Sequence, residues 1–182
     1  MNIAVRYCSK FGRTQAIAEE MADELGVKAM SISQEPVLVQ HVDVLFLGGA
    51  PYWSIMDPAL EEYVNRLRPD MVDRVVLFTT SNWSHRTVIG LRTKLEKRGI
   101  TVAPGHFYAH MSMIDKSKPA ACAYAREELN KAIELERSAD EGCRINIDKI
   151  KELATEVASV LAVTAIVVGG AVIARRVIKL RR

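Results

Sequence analysis

Over the first two thirds of the chain, short solid runs of apolar residues alternate with segments in which apolar residues recur every third or fourth position. Ile3 to Tyr7 reads as a buried strand, and a polar turn from Cys8 to Thr14 hands it to a helix. In that helix Ile17, Met21 and Leu25 line up beside Ala18 and Ala22, and Gly26 stands where a helix end takes a glycine. Val27 to Ile32 is a second candidate strand, and Val42 to Leu47 is a continuous apolar run of the kind buried on both faces of a parallel sheet. From Pro58, Leu60, Tyr63, Val64 and Leu67 share one helical face. Val75 to Thr79 is the next strand, and a helix through Val88, Leu91 and Leu95 stops at Gly99. Ile100 to Tyr108 supplies a fifth strand, and a closing helix is expected from Pro119 to about Glu136.

Strands alternating with helices predict an α/β fold, a doubly wound three-layer sandwich with a five-stranded parallel sheet of order 2-1-3-4-5. Such sheets bind ligands beyond the carboxyl ends of their strands, where the winding reverses. Three loops fall there: Cys8 to Thr14, Gly48 to Asp57, and Thr80 to Thr87.

Composition narrows the partners. The 182 residues are 49% hydrophobic and 26% charged, enough apolar material for a core and too much for a disordered chain. The net charge of +3 hints at nucleic acid or a membrane until it is located. Residues 1–137 hold 17 Lys and Arg against 17 Asp and Glu, whereas residues 138–182 hold eight against five. A neutral body without a basic stripe argues against nucleic acid. Cys8, Cys122 and Cys143 are odd in number and widely spaced, which suggests neither a disulfide framework nor a zinc site and favours a reducing compartment. Met1 to Val5 runs straight into an apolar alternation with no secretory leader pattern, so the body is expected to be cytoplasmic.

The first loop, Ser9-Lys10-Phe11-Gly12-Arg13-Thr14, joins a strand to a helix N-terminus with a hydroxyl at each end and a glycine inside. Free N–H groups, the positive end of the helix dipole and the two hydroxyls favour a phosphate. Neither the nucleoside-triphosphate loop nor the dinucleotide fingerprint is present, and no acidic pair marks a phosphorylated receiver domain. The same residues also suit a plain capped helix after a turn. The second loop, Gly48-Gly49-Ala50-Pro51-Tyr52-Trp53-Ser54, puts two aromatics after small residues that would let backbone approach a ligand. The third, with Thr80, Ser81, Asn82 and Trp83, carries the other tryptophan. The two tryptophans either flank a planar ligand or plug their loops onto the sheet. His85, His106 and His110 lie near strand ends, as proton shuttles or as plain surface side chains, and Cys8 reads as a small packing residue.

Tyr7-Cys8-Ser9-Lys10-Phe11-Gly12-Arg13-Thr14 and Leu47-Gly48-Gly49-Ala50-Pro51-Tyr52-Trp53 together resemble the flavodoxin family over about residues 1–137. The resemblance implies non-covalent FMN and electron transfer with a redox partner protein or a small-molecule acceptor. It implies that Ser9 to Thr14 hold the phosphate, that Ala50, Pro51, Tyr52, Trp53 and Ser54 border one side of the flavin ring, and that Thr80, Ser81, Asn82 and Trp83 border the other. The family's T-x-T-G-x-T loop stands here as S-K-F-G-R-T, with one hydroxyl lost at Phe11 and two cations, Lys10 and Arg13, brought near the phosphate. No glycine follows Trp53, and the body lacks the family's strong acidity, so the expected partner differs or is met at a membrane. The same kind of fold also serves flavoprotein oxidoreductases acting on quinones or porphyrinogens.

The tail adds a second segment, residues 138–182. Its stretch 157–174 is 18 uncharged residues, nine of them Val, Ile or Leu, followed by a basic end with Arg175, Arg176, Lys179, Arg181 and Arg182. A helix of that length spans about 27 Å against a hydrocarbon thickness of about 30 Å. The pattern predicts membrane association through residues 157–182, at the inner face of the cell membrane, by spanning or by interfacial insertion, with a buried helix as the alternative. A flavin-free, membrane-anchored interaction module is the reading from a different functional class.

Overall fold

The computed structural model describes residues 1–52 and 55–179; side chains are described as far as 155, apart from 142, 143, 145 and 146. Its order is β1 (Ile3–Cys8), α1 (Arg13–Glu24), β2 (Ala29–Ser31), β3 (Val42–Gly49), α2 (Pro58–Arg66), a 3-10 turn (Pro69–Met71), β4 (Val72–Ser81), α3 (Arg86–Lys97), β5 (Thr101–His110) and α4 (Ile114–Lys179). All neighbouring strands pair in parallel, in the order β2-β1-β3-β4-β5, so the expected topology is the observed one.

The sheet is buried on both faces because its central strands are apolar at consecutive positions. Along β3, Leu45 and Leu47 face Leu60, Tyr63, Val64, Leu91 and Leu95, which come from α2 and α3. Val44 and Phe46 face the opposite layer, where Ile17, Ala18 and Met21 of α1 pack with Ala121, Ala125 and Ala132 of α4. That two-sided packing makes the three layers.

Three local differences from the sequence expectation have physical reasons. Strand β2 is only three residues long, because the chain turns at Ile32 to Gln34 and Gln34 and Glu35 both donate backbone N–H to the Ser31 carbonyl. Helix α4 starts at Ile114, so Pro119 sits inside it and not at its first turn. In β5, pairing with β4 runs from Val75–Val102 to Leu77–His106, so β4 advances two residues while β5 advances four. The bulge contains Pro104, which an outer strand tolerates, and one terminal nitrogen of Arg92 donates to the carbonyls of Ala103, Pro104 and Gly105.

The chain divides into two compact units, Met1–Ile133 and Glu134–Arg182. Among the described residues no helix is long and apolar enough to cross a membrane. The side chains of the apolar run 157–174 and of its basic end lie outside the described residues, as do Trp53 and Ser54.

Candidate functional site

The carboxyl ends of β1, β3 and β4 bring the three loops together around a cavity of about 260 Å³. Its lining includes Ser9, Phe11, Arg13 and Thr14 from the first loop, Ala50, Pro51 and Tyr52 from the second, and Thr80, Ser81 and Asn82 from the third. Two further residues line it: Ser84, which lies in the expected third loop, and Met111, which had no sequence signal. Met111 follows the last residue of β5 and is drawn in because its N–H donates to the Ser81 carbonyl at 3.1 Å. Lys10, Gly12 and Trp83 are not part of the lining.

Helix α1 opens the site. Gly12 sits at φ +77, a left-handed conformation that glycine adopts without strain, and turns the chain into the helix. No side chain caps the helix among the described residues, and its first turn holds no acidic residue. Its N-terminal N–H groups and positive pole are therefore left for a ligand anion. The Thr14 hydroxyl lies 2.7 Å from the Thr80 hydroxyl, both side chains being buried where they line the cavity.

The second loop is held from below and from the side. Gly48 and Gly49 are the last residues of β3, and their missing Cβ atoms make room for Phe78 and Leu60, not for a ligand as the sequence suggested. Thr79 donates its hydroxyl to the Gly49 carbonyl at 2.7 Å. Beyond them Tyr52 and Ile55 exchange two backbone hydrogen bonds, of 2.9 and 3.0 Å.

Tyr52 is also fixed by Lys10. The Lys10 N–H donates to the Tyr52 hydroxyl at 2.7 Å, and the ammonium lies 4.5 Å from the centre of the ring. The same ammonium lies 2.6 Å from Oδ2 of Asp57, an ion pair outside the angles of a directed hydrogen bond. Asp57 is 5% exposed, and its pairing holds the lysine above its usual range. Lys10 is thus paired with Asp57 and Tyr52 and does not line the cavity. Cys8, at the end of β1, is pushed up to about 11 by burial and then by the Asp57 charge, and so stays a thiol.

The third loop hangs on Tyr108, whose hydroxyl accepts from the Trp83 N–H and donates to the Ser81 carbonyl, each at 3.0 Å. Trp83 has φ +68, unusual for a residue with a Cβ, and is 83% exposed, its ring edge-on to His110 at 4.9 Å. It neither walls the cavity nor plugs the loop onto the sheet. His85 and His106 meet through Nδ1 and Nε2 at 2.9 Å, with the His85 ring against Tyr108. Burial, then His85 and Arg92, hold the His106 imidazole below its usual range.

By sequence, the chain matches no protein-family model and no curated protein. By structure it is similar to oxidised flavodoxin 1 of Bacillus cereus, with a TM-score of 0.61 at 15% identity over 71% of this chain and 98% of that one. A flavodoxin from the domain Archaea aligns with a TM-score of 0.53 at 18% identity, over 70% of this chain and 98% of its own. The fold is flavodoxin-like. The same flavodoxin-like unit aligns with 37% of rubredoxin oxygen:oxidoreductase from Desulfovibrio gigas, covering 70% of this chain with a TM-score of 0.51 at 13% identity.

Proposed function

We propose that the cavity binds FMN and that the protein is a flavodoxin-like electron-transfer protein. The observation that carries this reading is the uncapped head of α1, with Arg13 beside it, at one end of a cavity whose other walls include Phe11, Ala50, Pro51, Tyr52 and Met111. Dipole, free N–H groups and guanidinium suit a phosphate; a slot between apolar and aromatic walls suits a planar ring. The residues present therefore fit the cofactor. Bound FMN would supply the redox chemistry, one or two electrons at a time.

The chain's own part is to bind, orient and exclude water. Arg13 and the first turn of α1 would hold the anionic end, Tyr52 would border the ring, and the hydroxyls and amide of Thr80, Ser81, Asn82 and Ser84 bring polar groups to the lining. Among the described cavity residues none is a carboxylate, histidine or thiol, so the redox chemistry would rest with the cofactor. The uncharged run 157–174 and its five basic residues support association of the tail with the inner face of the cell membrane.

The absorbance spectrum of the purified protein, taken with and without added FMN, tests the reading. Flavin bands that accompany the protein and an FMN-to-protein ratio near one are expected. A colourless protein whose fluorescence ignores added FMN refutes it.

A further inference from the structure

Asp57 belongs to a helix, yet its charge is used across two loops. It is the N-cap of α2, where Oδ1 accepts the Ala59 N–H at 2.9 Å, and α2 is anchored in the core by Leu60, Tyr63 and Val64. The other oxygen, Oδ2, faces Lys10. Lys10 in turn holds Tyr52 at two points, the ring under its ammonium and the hydroxyl on its N–H. Those two attachments set both the tilt of the ring and its height on the cavity wall.

We propose that Asp57 is a positioning residue of the crevice, which fastens the first loop to the second through Lys10 and Tyr52 and keeps the lysine's charge away from the anion-binding turn. The proposal rests on the FMN reading of the cavity. Its physical basis is the imbalance between the partners: the carboxylate is 5% exposed, whereas the lysine side chain is 55% exposed. Taking the ammonium away would leave a buried carboxylate without its cation, whereas leaving it in place costs the lysine little hydration. Recognition of a phosphate then falls to Arg13 and the N–H groups of α1. The crevice distinguishes FMN from riboflavin by that guanidinium and those N–H groups, while the lysine's role is to fix the wall that both ligands share.

The test titrates FMN and riboflavin separately into the flavin-free full-length chain, following flavin fluorescence. Arg13→Met is expected to lower FMN affinity about tenfold and leave riboflavin nearly unchanged, as loss of a charge-assisted contact to phosphate should. Lys10→Met is expected to weaken both ligands alike, leaving their ratio unchanged. Asp57→Asn, which keeps the helix cap and releases the lysine, is expected to raise the preference for FMN. Selective loss of FMN in Lys10→Met, equal to that in Arg13→Met, overturns the proposal.

A second measurement is independent of any flavin. In the wild-type chain the ε-methylene protons of Lys10 are expected upfield of their ordinary position, shifted by the Tyr52 ring, and to return to it in Asp57→Asn. Ordinary shifts in the wild type overturn the proposal even if FMN binds. Upfield shifts together with no binding of either flavin refute the FMN reading while leaving the Asp57–Lys10–Tyr52 arrangement intact.

Discussion

The ring of Phe78 occupies the place where a Cβ on Gly48 would stand, its nearest atom 2.0 Å from that position. The two are register partners on β4 and β3, directly beneath the second loop. Gly48→Ala should therefore destabilise the fold by about 1–3 kcal/mol through overpacking. Phe78→Leu should recover part of that loss in the double variant, giving a coupling that urea denaturation of the four-member cycle would measure. Independent, additive effects would show that the ring moves aside freely.

The Thr14–Thr80 hydrogen bond joins the head of α1 to the end of β4 in a buried setting. Thr80→Val should cost about 1–2 kcal/mol, because the Thr14 hydroxyl is left without its partner. Replacing both threonines by valine should cost less than the two single changes added together. Thermal melts of the three variants decide this.

Acid sensitivity is expected at His106. Its folded pKa is lowered by burial, His85 and Arg92, whereas in the unfolded chain it titrates near about 6.5. As the pH falls through that unfolded value, the unfolded chain binds a proton that the folded chain resists. Stability is therefore lost on acidification from about pH 7 and stops falling only below the folded pKa. His106→Gln should flatten the difference between urea midpoints measured at pH 7 and pH 5; an unchanged difference would assign the acid sensitivity elsewhere.

Cutting the chain after Asp140 removes the uncharged run and its basic end while leaving the unit Met1–Ile133 whole. On the proposed membrane and FMN readings, the shortened protein should fractionate with the supernatant, unlike the full chain, and bind FMN as the full chain does. Identical fractionation of both forms would remove the case for a membrane-binding tail.

What the sequence showed and what it hid follow from how local each feature is. Continuous apolar runs such as Val42 to Leu47 marked the central strands, because residues buried on both faces leave no polar alternation, and alternation with helices then set the strand order. Features that depend on distant partners stayed hidden. The pairing of Lys10 with Asp57, 2.6 Å away, stayed hidden because nothing in its own loop shows it. Gly48 and Gly49 looked like room for a ligand because the side chains that need the space, Phe78 and Leu60, come from other elements. Pro119 looked like a helix start, yet α4 already runs from Ile114 and simply forgoes one backbone hydrogen bond there.

The Pro104 bulge has a consequence for the protein at high concentration. Outer strands of a sheet are templates onto which a neighbouring chain can grow. Here one outer strand, β2, is three residues long, and the other, β5, is interrupted where Arg92 takes up three successive carbonyls. Neither border offers a long regular ladder for an incoming segment, so the apolar central strands stay shielded from fibril-like growth.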